Sequence, residues 1–184
     1  MRISFWMMAI IAMVFAILVS GTAMSAQDKY SLKVPDGLAF ADFKGYETWQ
    51  VVSISHSPKA LAVIVGNPAM IKAFESGSPE NGKAVPDGAK MAKMHYVPKP
   101  NKYFPEAIVP DKQADVDFMM KDSKRFADSG GWGYAAFKYD AASDTFTPVG
   151  TDGQPPQGKD AKCGFACHTV AKGNDYVFTQ YQHR

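Results

Sequence analysis

Both cysteines of the chain fall within one nine-residue segment, residues 162–170 (KCGFACHTV), and His168 directly follows the second of them. Two cysteines cannot build a disulfide scaffold or a four-thiolate zinc or iron–sulfur site, so their use is as a pair. A thiol pair followed at once by histidine is the attachment pattern of c-type haem. The thiols, on one helical face, add to the two vinyl groups of the porphyrin, and the adjacent imidazole reaches the iron as proximal ligand. The common spacing has two residues between the cysteines; here Gly164, Phe165 and Ala166 lie between them. An i,i+3 pair thus becomes an i,i+4 pair, and either keeps both thiols on one face. Cys163 and Cys167 are the candidate thioether residues and His168 the candidate iron ligand. The alternative is a Cys163–Cys167 disulfide, which a helical Cα separation of ~6 Å permits but which leaves His168 without a role.

The N-terminus speaks for export. Arg2 is the only charge before Asp28, and residues 5–19 are fifteen consecutive apolar residues followed by Ser20, Gly21 and Thr22. A charged start, a short apolar core and small residues read as a secretory signal. Fifteen apolar residues fall short of the ~20 that a spanning helix needs, so an uncleaved anchor is the weaker alternative. The expected organisation is a signal peptide over residues 1–26 and a single haem domain over residues 27–184, released into the periplasm. Loss of Arg2 takes the net charge from +2 to +1. A charge so near zero carries no basic field for nucleic acid, and none is expected as a partner.

Along the mature chain, residues 46–55 (YETWQVVSIS) are rich in aromatic and β-branched residues and read as a strand. Residues 60–65 (ALAVIV) have the continuous apolar pattern of a strand buried on both faces. Asn67 and Pro68 supply a helix start, Met70, Ile71 and Phe74 its apolar face, and Gly77 its end. Further strands are expected over residues 89–97, ending at Pro98, and over 115–121 and 132–139. A short helix capped by Ser123, a loop over 147–159 and a helix within 161–172 complete the reading. The fold class is α+β, mainly antiparallel sheet with a few short helices, the C-terminal one carrying the haem attachment site.

Two longer stretches carry a resemblance. Residues 167–181 (CHTVAKGNDYVFTQY) resemble the haem-site ending of the cytochrome P460 family, and residues 121–137 (KDSKRFADSGGWGYAAF) resemble another segment of that family. The resemblance runs, with gaps, over roughly residues 45–181. It implies a mono-haem c-type protein, commonly a homodimer, with Cys163 and Cys167 as thioether residues, His168 as proximal ligand and an open opposite face of the iron. One branch of the family oxidises hydroxylamine and joins a lysine covalently to a porphyrin meso carbon. A sister branch, the cytochromes c′-beta, lacks that bond and binds nitric oxide or carbon monoxide.

The family's cross-linking lysine follows an Asp-Gly turn, and after Asp87-Gly88 the matching position is Lys93. Strand periodicity places Ala89, Met91, Lys93 and His95 on one face and Lys90, Ala92, Met94 and Tyr96 on the other. Lys93 therefore faces a haem only if Met91 shares that side; a shifted register turns Lys90 inward instead. An amine desolvated beside a ring favours its neutral, nucleophilic form.

The remaining candidates are weaker. His56 and His95, or Met91, Met94, Met119 and Met120, are possible sixth ligands that read more readily as strand and core residues. Asp115, Asp117 and Asp152 are candidates for a carboxylate that deprotonates substrate. Trp49, Phe126, Trp132 and Phe137 belong to the core. The expected function is a periplasmic haem oxidoreductase acting on hydroxylamine or a related small nitrogen compound, with an external electron acceptor such as a small cytochrome. The alternatives are a non-catalytic nitric oxide or carbon monoxide binder and an electron-transfer cytochrome.

Overall fold

The structure is a computed structural model and describes residues 26–34, 37–149 and 164–182. Six strands form one antiparallel sheet in chain order: β1 (Gln50–Ser57), β2 (Ala60–Gly66), β3 (Lys90–Pro100), β4 (Ile108–Lys121), β5 (Trp132–Asp140) and β6 (Thr145–Pro148). Helix α1 (Pro68–Glu75) joins β2 to β3, and α2 (Gly164–His168) runs into a 3₁₀ turn at Thr169–Asn174. The α+β, mainly antiparallel fold read from the sequence is the fold observed.

Alternation along the strands splits the core into two layers. Met91, Met119 and Tyr134 face α1 and the C-terminal segment, where Met70, Phe74 and Val177 meet them. Ala92, Phe118 and Phe137 face the other way, onto N-terminal residues Leu38, Phe40 and Phe43. In that second layer Phe43 stacks on Phe118 at 4.1 Å between centroids, and Phe40 meets Phe137 edge-on at 4.9 Å. Each such pair contributes about 1 kcal/mol beyond its buried area. One face of the sheet is thus filled by aromatics, and the other is left to α1 and the C-terminal segment.

Asn67 is the hinge between β2, α1 and β3. Its Oδ1 accepts the N–H of Met70 at 3.0 Å, capping α1, and the N–H of Lys90 at 3.0 Å; its Nδ2 donates to the Gly88 carbonyl at 2.9 Å. Pro68 occupies the first turn and Gly77, at φ +83°, follows the last, as the sequence predicts.

Several boundaries differ from the sequence reading. Residues Tyr46–Thr48 form a 3₁₀ turn, and β1 starts at Gln50. Pro98 does not end β3. Register shifts next to Tyr96 let the strand continue, with Pro98 opposite Pro110 and Pro100 opposite Ile108, because a bulge accommodates residues that cannot donate to the ladder. The same extension makes β4 begin at Ile108 rather than at residue 115. The helix expected from Ser123 is a turn instead. Asp122 accepts the N–H groups of Lys124 and Arg125, and the 3₁₀ turn lies at Ala127–Ser129. Thr147 and Pro148 belong to β6 rather than to a loop. The expected signal peptide, apart from its last residue, and the rest of the expected 147–159 loop beyond Val149 lie outside the described residues.

Candidate haem site

A row of register partners crosses the sheet: Ser53 opposite Ile64, Ile64 opposite Lys93, Lys93 opposite Asp117, Asp117 opposite Ala136. All five residues line one cleft of about 1180 Å³, whose facing wall is the C-terminal segment, with Gly164, Cys167, His168 and Phe178. The volume lies just above the range usual for ligand pockets and so leaves room for a large planar group. Met91 and Lys93 line the cleft together, while Ala92 packs in the opposite layer. The strand phase that brings Lys93 to the cleft is the one observed. Lys90 points the other way, its ammonium donating to the Asp42 carbonyl of the N-terminal layer.

His168 sits at the C-terminal end of α2. Its Nδ1 lies 2.6 Å from the carbonyl oxygen of Tyr176. Donation there assigns the proton to Nδ1 and leaves Nε2 as the nitrogen with a lone pair for a metal, the arrangement usual for ligating histidines. Burial pushes the His168 pKa down, and the nearby Lys93 charge adds to that, against the opposing effect of the Tyr176 hydrogen bond. The neutral, ligating form is therefore favoured. The ring lies 5.0 Å from that of Tyr134 and 4.9 Å from that of Phe178, which hold it between aromatic neighbours.

Across the cleft floor, burial raises the Asp117 pKa, and the nearby His95 and Lys93 offset part of that rise. His95 Nδ1 hydrogen-bonds the Asp115 carboxylate and lies 3.7 Å from an Asp117 oxygen. Asp117 is thus the one carboxylate of the three sequence candidates that lines the cleft. Asp115 is engaged with His95, and Asp152 lies outside the described residues.

Cys167 is exposed and lines the cleft next to His168; Cys163 lies one residue outside the described segment. Three observations fit these residues to a haem. The candidate thiolate and imidazole share one wall. His168 keeps a ring nitrogen available. The buried Tyr134 hydroxyl, on the cleft wall, has no hydrogen-bond partner among the described residues, the condition of a wall completed by a bound group. Gly164 lets α2 approach β5 closely, since a Cβ there would lie 2.4 Å from the Tyr134 Cβ.

Of the alternative axial ligands, His56, His95, Met94 and Met120 do not line the cleft. His56 is exposed on β1, and Met94 and Met120 pack in the opposite layer. Met91 and Met119 line the cleft as buried core residues. Trp132, Phe126 and Phe137 are core residues as expected, and Trp49 packs against the core partly buried. Sequence reasoning missed Tyr134, the Tyr176 carbonyl and the Lys121–Asp175 ion pair described below.

An antiparallel sheet, covered on one face by aromatics and opened on the other into a cleft, places the imidazole of His168 on the cleft wall, the one imidazole among the described residues that lines it. The chain matches the Cytochrome P460 family over residues 43–179, which includes Lys93, Cys163, Cys167 and His168. It belongs to that family and is a haem-binding cytochrome. No curated protein sequence matches it.

Proposed function

We propose that this chain is an exported mono-haem c-type cytochrome that oxidises hydroxylamine or a related small nitrogen compound. The observation that carries the reading is that Lys93 lines the same cleft as Cys167 and His168, directly opposite Asp117. When bound, haem supplies an iron that takes a nitrogen ligand and passes electrons onward. The chain does the rest. Cys163 and Cys167 hold the porphyrin, and His168 offers Nε2 with its Nδ1–H committed to Tyr176. Lys93 supplies the amine for a bond to the ring edge, in which a C–N bond replaces one N–H and one ring C–H and the two protons and two electrons released pass to an oxidant of the peroxide class. Asp117, made more basic by burial, takes the substrate proton. The apolar flank formed by Val170 and Phe178 limits water at the mouth. The reading includes export by residues 1–26 to the periplasm, a homodimer, and electron delivery to an acceptor such as a small cytochrome.

Mass spectrometry of a protease digest tests the reading. The peptide containing Lys93 is expected to travel with the haem peptide containing Cys163 and Cys167. Lys93→Ala should keep the thioether haem, bind nitric oxide and lose hydroxylamine oxidation. A free Lys93 in the wild type, or a Lys93→Ala variant that turns over hydroxylamine normally, replaces the enzyme with a nitric oxide or carbon monoxide binder of the c′-beta type.

A further inference from the structure

Lys121 is a buried lysine that does not line the cleft. Its side chain is 7% exposed, and its Nζ donates to both carboxylate oxygens of Asp175, at 2.7 and 2.9 Å, and to the Gly130 carbonyl at 3.0 Å. It also lies 5.1 Å from the centre of the Trp132 ring. Asp175 is engaged on every side: Oδ2 accepts the N–H of Val85 at 2.7 Å, and its main-chain carbonyl accepts Trp132 Nε1–H at 2.8 Å. A buried ion pair this well satisfied fixes a geometry, since its attraction is largely offset by the cost of removing two charges from water.

The geometry it fixes is unusual. Asp175 and Tyr176 adopt φ +46° and +63° in succession, a left-handed conformation that non-glycine residues hold only when their surroundings impose it. The Tyr176 ring rests on Gly130, where a Cβ would lie 2.2 Å from Tyr176 Cε2. The reversal turns the chain so that the Tyr176 carbonyl meets His168 Nδ1, eight residues earlier in the chain.

We infer that Lys121, Asp175 and Trp132 form a latch that sets the orientation and donor strength of His168 through the Tyr176 carbonyl, which makes them positioning residues for the proximal ligand. This rests on the reading that His168 binds the iron. A hydrogen bond to Nδ1–H raises the basicity of a ligating imidazole, and a stronger donor favours the ferric state. Loosening the latch should weaken that bond and move the equilibrium toward ferrous.

The test uses the haem-loaded full-length protein and two variants, Asp175→Asn and Trp132→Phe. Two quantities are measured: the one-electron potential, and the iron–histidine stretching band of the ferrous protein by resonance Raman. Asp175→Asn is expected to shift the ferric/ferrous equilibrium about tenfold toward ferrous, ~59 mV for one electron, and to lower the stretching frequency. Trp132→Phe, which removes the indole donor and part of the buried ring but leaves the Lys121–Asp175 pair in place, should shift both in the same direction by less. If Asp175→Asn does not yield folded protein, Trp132→Phe decides the matter. Folded variants with wild-type potential and band position overturn the latch, even if they are less stable. His168→Ala separates the two failures. If the iron–histidine band survives that substitution, His168 is not the ligand and both readings fall. If His168→Ala abolishes the band while the latch variants leave it unshifted, the latch alone is refuted.

Discussion

Lys93 on β3 and Asp117 on β4 are register partners whose side chains enter the same cleft. The amine proposed to bond the porphyrin edge and the carboxylate proposed to take the substrate proton are therefore neighbours on one rigid sheet, across the cleft from His168. Two groups carried by paired strands keep their separation fixed, which a catalytic pair on loops does not guarantee.

The first prediction follows from the Asp117 pKa. Burial raises it above the usual carboxylate value, so Asp117 stays protonated to a higher pH than an exposed aspartate does. A base works in its ionised form, so hydroxylamine oxidation should rise with pH through that elevated pKa and fall on its acid side. Asp117→Asn should lower the rate by about 10²–10⁴ and abolish this acid limb while leaving haem content unchanged. A steady-state pH–rate profile of both proteins checks it; an unchanged limb in the variant rules out Asp117 as the base.

Asp87 links the turn before Lys93 to the start of the 121–137 segment. Its carboxylate accepts the Ser123 N–H at 2.8 Å and the Ser123 hydroxyl at 2.7 Å, and these bonds lower its pKa. A depressed native pKa contributes stability above the unfolded value, and that contribution is lost as pH falls through the native value. Asp87→Ala should therefore destabilise the protein by about 1 kcal/mol at neutral pH, the usual net worth of a hydrogen bond. The difference from wild type should shrink below pH ~4. Urea titrations at neutral and acid pH measure it; a difference independent of pH contradicts the assignment.

Asn67 holds three backbone groups of α1, β3 and the preceding turn. Asn67→Ala should cost about 2 kcal/mol, the upper end for a lost N-cap, and Asn67→Asp should recover the part due to capping. Thermal unfolding of both variants tests this. Equal losses in the two would show that the amide donor to Gly88 dominates over the cap.

The parts of this fold with local causes were legible in the sequence. A β-branched run marked β2 and aromatic composition marked β5, Asn67-Pro68 marked α1, and period two placed Lys93 with Met91 and apart from Lys90. The thiol–thiol–imidazole segment pointed to the wall of the cleft, where Cys167 and His168 lie. What escaped depends on contacts distant in sequence. Residues 108–114 contain Pro110 followed by three polar residues, Asp111, Lys112 and Gln113, so their pattern does not alternate as a strand's does; pairing with Tyr96 and the residues beyond it makes them one. Lys121 and Asp175 stand 54 residues apart, and no local pattern joins them. Only the packing of residues 121–133 against the C-terminal reversal buries them together. The two stretches that carried the family resemblance prove to touch each other, one supporting the other.

The central claim is a haem bonded to this chain through Cys163 and Cys167, with His168 on the iron. Intact-mass measurement of the denatured, haem-stained protein tests it most directly. The account predicts that the denatured chain keeps the mass of one haem on the peptide containing Cys163 and Cys167, and that His168→Ala keeps this mass while losing the proximal-ligand spectrum. A denatured chain that releases its haem and carries a Cys163–Cys167 disulfide would contradict it.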